Sequence, residues 1–405
     1  MRRCKQIALV AVLILAATAA ASSQSTLPKF SEPSPTKDRP ILELDLHRFA
    51  GANWNLKDDE RAGATLESAI EFAGNDLISW EWTTRDEASL RVKPGTPIQS
   101  HPLHHHAVVL SAMTGEKKAE QDFYAPLYSA YFRAVREGNF LACVENKMRI
   151  FSSGFELLRE QDLPAPYNCA FLLNSEQSRV SPSRDSMLVS NRSGKGAPIT
   201  ILDTSTLVVI SQRNEDRSAS ITSISDHWLA GQCGNSWGVC MRTMDGPWKA
   251  FSYTGPENQD ATQVLGRAYF LNDDTVVICR MNEIAVAKVD GSVLLLSNLP
   301  KDISCEKSLP ATSIDGSRFA IMENKELKAD EFFDMGPFWT EDKIVVYDIS
   351  DRRAVFAVKV NGTGQWAWSS THSNEFALSP DGDRLAVVSD GILRIYKLPA
   401  RSSAK

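Results

Sequence analysis

Long apolar runs are scarce in this chain of 405 residues. The only prominent one is at the start, where Arg2, Arg3 and Lys5 precede an apolar run from Ile7 to Ala17 and small residues through Ala21. A bilayer-spanning helix needs about 20 apolar residues. The segment therefore reads as a secretory signal peptide over residues 1–21 with Ala-x-Ala cleavage after Ala21, an uncleaved anchor being the alternative. No other segment is apolar enough to span a bilayer, which argues against stable membrane insertion after cleavage. Positive charge is scarce too: 44 Lys and Arg stand against 50 Asp and Glu, a net −6. Cleavage after Ala21 removes three positive charges and no negative ones, leaving −9. An acidic chain without a basic block is a poor partner for nucleic acid or anionic lipid.

Motifs that carry chemistry are also missing. There is no His-Glu-x-x-His, no Cys-x-x-Cys, no phosphate-cradling glycine loop and no Asp-rich calcium loop. Histidine is rare, at seven residues, yet four fall in His101-Pro-Leu-His-His-His106. On a strand His104 and His106 share a face while His105 points away. A solvated polar run entering a strand is the expectation there, with His104 and His106 as candidate partner contacts and no metal. No cofactor is expected. The string Asn235-Ser-Trp-Gly238 is similar to one in papain-like proteases, but the upstream helical cysteine and the preceding histidine of that family are absent.

What the sequence does contain is a repeated pattern: an apolar strand, a tight polar turn and a second apolar strand, seven times over. The turns are Phe72-Ala-Gly-Asn-Asp-Leu77, Arg136-Glu-Gly-Asn-Phe140, Ser181-Pro-Ser-Arg-Asp-Ser-Met187, Ser225-Asp-His-Trp228, Leu271-Asn-Asp-Asp-Thr275, Ser313-Ile-Asp-Gly-Ser-Arg-Phe319 and Ser379-Pro-Asp-Gly-Asp-Arg-Leu385. Gly, Asn and Asp recur because such turns need positive φ or side-chain-to-backbone bonds. The pattern predicts an all-β, seven-bladed β-propeller of four-stranded antiparallel blades, strands A to D in each. Second-hairpin strands such as Ile344-Val-Val-Tyr-Asp348 resemble those of Trp-Asp-repeat-like and quinoprotein-like propellers, and the Ser379–Leu385 copy resembles the periplasmic propeller repeats of the Tol system. The Gly-His and Trp-Asp dipeptides of true Trp-Asp repeats are missing.

The expected organisation is a signal peptide (1–21), a flexible Ser/Pro/Thr-rich leader (22–39), the propeller (40–400) and a short tail (401–405). The last repeat ends after strand C, so Pro40-Ile-Leu-Glu-Leu-Asp-Leu46 is predicted to supply its fourth strand and close the ring. Six cysteines remain after cleavage. Cys143 to Cys169 and Cys279 to Cys305 have the same spacing and align at an offset of 136 residues that also superposes Leu163-Pro164 on Leu299-Pro300. Bridges Cys143–Cys169 and Cys279–Cys305 between successive blades are predicted, with Cys233–Cys240 across a hairpin.

Two blades carry inserts between strands B and C. Thr83 to His105 is polar, and Glu323 to Asp342 contains Phe332, Phe333, Phe338 and Trp339. Both project from the B–C face, on blades flanking the last one. Trp80, Trp82 and Gln365-Trp-Ala-Trp368 are assigned to the interblade core. The functional expectation is a secreted or periplasmic, non-enzymatic scaffold that binds a protein, peptide or glycan through this face. The competing expectation is a hydrolase or lyase with its site at the channel mouth.

Overall fold

The computed structural model describes residues 35–49, 67–85, 102–126, 130–144, 147–163, 169, 180–190, 198–214, 219–233, 238–253, 266–280, 283–300, 303–305, 309–327, 338–361, 375–389 and 391–401. The signal-peptide segment, Phe332, Phe333 and Gln365–Trp368 lie outside these residues.

The described chain is a seven-bladed β-propeller. Its strands form seven antiparallel sheets, each built by consecutive neighbours except at two points. Blade 1 runs Glu67–Phe72, Leu77–Arg85, Pro102–Ser111 and Lys117–Pro126; blade 2 runs Ala130–Ala134, Phe140–Val144, Lys147–Phe151 and Leu157–Asp162. In blade 3 the innermost position is a single bridge, Val180 to Met187, beside three full strands. One exception to chain order is the inner position of blade 6, where Ile303–Ser304 and Ala311–Thr312 both pair with Arg318–Leu327. The other is the last blade, where Leu42–Asp45 pairs with Ile392–Lys397: Leu42 opposite Ile395, Leu44 opposite Leu393. The end-to-end closure expected from Pro40–Leu46 is thus present. Held there, Leu44 and Leu46 are buried while Glu43 faces solvent and pairs with Arg394 at 3.0 Å.

The core is divided as a radial sheet array requires. Successive strand residues point to opposite faces, so each blade supplies apolar side chains to the neighbour on either side. On Thr275–Arg280, Val276 and Ile278 pack with blade 4, while Val277 and Cys279 pack with blade 6. Seven hydrophobic clusters result, one for each blade–blade interface, the seventh joining Leu44, Leu393 and Ile395 of blade 7 to Ile70, Val108 and Leu110 of blade 1.

Near the ends of the propeller, the Thr36 amide donates to the Ala357 carbonyl at 2.7 Å and Arg401 donates to Asp315 at 2.6 Å. One expectation needs revision: His105 does not stay solvated. It belongs to strand C of blade 1, paired on both sides, and alternation turns His105 into the blade 1–2 interface opposite Phe123, where it is 5% exposed.

Candidate binding face

The two faces of the ring differ in what their polar groups do. On the A–B face the turns are built by short-range bonds. A serine opens four of the seven turns, and its Oγ accepts the backbone amide that closes the hairpin: Ser181 from Ser186, Ser225 from Trp228, Ser313 from Arg318 and Ser379 from Arg384, at 2.9–3.1 Å. In blades 6 and 7 the same serine donates to the aspartate two residues on, Asp315 or Asp381. Glycine follows at φ +66 (Gly316) and +72 (Gly382). A Cβ on Gly316 would stand 2.5 Å from the Leu271 carbonyl of blade 5, so the turn needs glycine for both backbone conformation and contact.

The same turns are stitched to one another around the ring. Arg133 reaches Glu71 of blade 1 at 3.2 Å, and Arg136 pairs with Asp185 of blade 3. Ser183 donates to Asp226 of blade 4 at 2.8 Å, and His227 and Ser225 both bond Asp273 of blade 5. Thr312 donates to the Leu271 carbonyl at 3.2 Å, joining blade 6 to blade 5. Arg318 then reaches the Gly382 carbonyl of blade 7 at 2.9 Å, and the Asp381 amide meets Asn75 of blade 1 at 3.2 Å, completing the circuit. This belt was not legible in the sequence, where the turn residues account for local conformation alone.

Asp315 carries the clearest electrostatic mark of the belt. Burial raises its pKa, but Arg401, Ser313 and Ser317 outweigh that and lower it to about 2. A depressed folded pKa contributes stability that is present above the unfolded carboxylate value near 3.9 and lost as pH falls through the folded value. Acid titration from pH 4 to pH 2 is expected to destabilise wild type more steeply than Asp315→Asn, read as the difference in urea midpoint at each pH. Equal slopes would remove Asp315 from the acid response. The group is half exposed, so solvent screening keeps the effect modest.

The B–C face is built differently. The two inserts begin and end as continuations of their blades: strands B and C extend to Arg85 and from Pro102 in blade 1, and to Leu327 and from Phe338 in blade 6, with residues 86–101 and 328–337 outside those described. These strands hold 9–11 residues, where strands B and C of blades 2 and 5 hold 5–6. At about 3.3 Å per residue, ten residues reach roughly 33 Å against about 20 Å for six. Two β-arms therefore rise from one face, on either side of blade 7. Phe338 and Trp339 lie at the far end of the blade 6 arm, opposite Leu327 and Glu326. His104 and His106 share one face of the blade 1 arm, opposite Tyr124 and Asp122. The fold thus places the two candidate sets on separate arms.

Each arm has a charged base that sequence reading missed. In blade 6, Glu323 is 1% exposed, accepts from Tyr347 Oη at 2.7 Å and pairs with Lys343 at 2.9 Å; beside it Asn324 donates to Asp342 at 2.7 Å. In blade 1, His106 Nδ1 meets Asp122, and its other nitrogen lies 3.6 Å from Glu120. The available signal was the facing of opposite charges, since Glu323 and Lys343 are direct cross-strand partners. Among the described residues, no group of three or more His, Cys, Asp or Glu gathers as a metal site.

Gly234-Asn-Ser-Trp-Gly238 also fits the Gly-x-Ser-x-Gly pattern of nucleophile elbows. That elbow requires a strand-to-helix turn. Here the string joins strands Trp228–Cys233 and Gly238–Thr243, which the Cys233–Cys240 disulfide ties together, and its central residues lie outside those described.

No family model and no curated protein matches the chain. Among solved structures it is similar to the Pan2 WD40 domain of Neurospora crassa, at 10% identity over 91% of this chain and 99% of that one, with a TM-score of 0.47. It is also similar to BamB from Moraxella catarrhalis, at 12% identity over 82% and 85% with a TM-score of 0.36. A putative TolB from Agrobacterium tumefaciens matches at 14% identity over 69% and 94%, with a TM-score of 0.38. The assignment to the seven-bladed propellers rests on the sheet order and the seven interfaces themselves.

Proposed function

We propose that the protein is an extracytoplasmic propeller scaffold, without catalytic activity, that binds a protein or peptide partner between the arms of blades 1 and 6. The observation that carries this reading is the division of labour between faces. On the A–B face each blade is bonded to the next by groups in or beside its turns, whereas the long arms of the B–C face project beyond the body of the ring. Rigid elements that project from a closed ring offer contact area at little ordering cost. The N-terminal segment and the two disulfides support an oxidising location outside the cytoplasm.

The test is affinity capture from the native envelope or secreted fraction with wild type, with Phe338→Ala/Trp339→Ala, and with residues 86–101 replaced by a short Gly-Ser turn. Loss of an aromatic anchor at an interface weakens binding by about tenfold or more. Partners captured by wild type are expected to be depleted in both altered proteins. An unchanged set from correctly folded variants would overturn this reading.

A further inference from the structure

We infer that Cys279 and Cys305 join as a third disulfide, and that this bond fixes the base of the blade 6 arm. The first part rests on an internal copy already closed elsewhere. Cys143, on strand B of blade 2, is bonded to Cys169, 26 residues on, with the Cα atoms 5.5 Å apart. Cys279 lies on strand B of blade 5, and Cys305 follows at the same spacing.

The likeness extends through the packing. The blade 2–3 cluster contains Val135, Leu141, Cys143, Met148, Ile150, Leu163 and Cys169. Residues 136 positions further on, namely Leu271, Val277, Cys279, Ile284, Val286, Leu299 and Cys305, all belong to the blade 5–6 cluster. The two cysteines therefore occupy the places that a bonded pair occupies in the other copy. Both side chains are buried, and Cys305 Sγ lies 3.9 Å from the carbonyl of Glu283, next to Ile284, the direct strand partner of Cys279.

The second part follows from what immediately precedes Cys305. The inner position of blade 6 is split. Ala311–Thr312 pairs with the lower part of strand B, and Ile303–Ser304 pairs with Lys325 and Asn324, where strand B continues into the arm. Ile303–Ser304 is a two-residue brace, and a bond from Cys305 to blade 5 anchors it. Closure removes two protons and two electrons from the thiols; the acceptor is a disulfide of an oxidising exchange partner, which leaves as a dithiol.

The bond is tested on wild-type protein exported to an oxidising compartment, denatured without reductant, alkylated and digested. A cross-linked peptide pair holding Cys279 and Cys305 is expected; alkylation of both in wild type would overturn the bond. Bracing is tested separately by hydrogen exchange. In Cys279→Ser and Cys305→Ser, amides of Asn324–Leu327 are expected to exchange about tenfold faster or more, with Cys143→Ser as the control that leaves them unchanged. Unaltered exchange with the bond present would overturn the bracing alone. Neither readout depends on the proposed partner, so failure here and failure of the binding reading are distinguishable.

Discussion

Replacing Arg318 by leucine is expected to cost the protein about 3–5 kcal/mol, the range for removing one member of a buried ion pair. The side chain is fully buried, and each branch of its guanidinium has a separate acceptor. Nε donates to Asp348 at 2.8 Å, Nη1 to the Gly382 carbonyl at 2.9 Å and Nη2 to the Pro399 carbonyl at 2.8 Å. Those acceptors belong to the end of strand C in its own blade, the A–B turn of blade 7 and the segment after the last strand. Leucine would leave Asp348, 1% exposed, without its counter-charge and two carbonyls without a donor. Lysine should not rescue, because a single ammonium cannot reproduce a planar fork of donors. The paired change Arg318→Leu/Asp348→Leu should recover part of the loss, since an apolar pair replaces an ion pair more cheaply than a widowed charge does. Urea unfolding decides the matter: a shift below about 1 kcal/mol for Arg318→Leu would show that the node is not needed.

The second large effect is at ring closure. Leu44→Asp is expected to lose more than the roughly 2–5 kcal/mol of a leucine-to-alanine change in a core, because a carboxylate would be forced into an apolar seam. Leu44 is 6% exposed, faces Leu393 across the sheet and sits against Gly115 of blade 1, where an added Cβ would stand 3.1 Å from its side chain. The adjacent Glu43→Gln is the internal control. It removes only an exposed pair with Arg394, worth under about 1 kcal/mol. Thermal midpoints and gel filtration should therefore separate neighbours on one strand: Leu44→Asp expanded and unfolded at low temperature, Glu43→Gln near wild type. Similar behaviour of the two would contradict closure by this strand.

The seven hairpins and the closing strand were legible in the sequence because both depend on local information: alternation with period two, turn residues of restricted conformation, and a last repeat one strand short. The matched cysteines were legible because a repeat exposes itself by its spacing. The belt was not, since whether Ser183 meets Asp226 depends on how two blades are rotated against each other. The extension of strands B and C into the inserts was not legible for a different reason. Strand formation there is carried by backbone pairing and by charged partners such as Glu323 and Lys343, so the apolar alternation that announces a strand is absent. His105 was assigned to solvent because its neighbours are polar, yet the pleat sends it inward regardless of them. For the candidate site, the sequence marked the inserts of blades 1 and 6, and the structure added the long strands at their bases.

Closure by Leu42–Asp45 has a consequence for the order of events during biosynthesis. The segment that pairs with Ile392–Lys397 leaves the ribosome some 350 residues ahead of its partner and must wait, unpaired, through the making of every intervening blade. So remote a pairing holds the ring open until Ile392–Lys397 has been made.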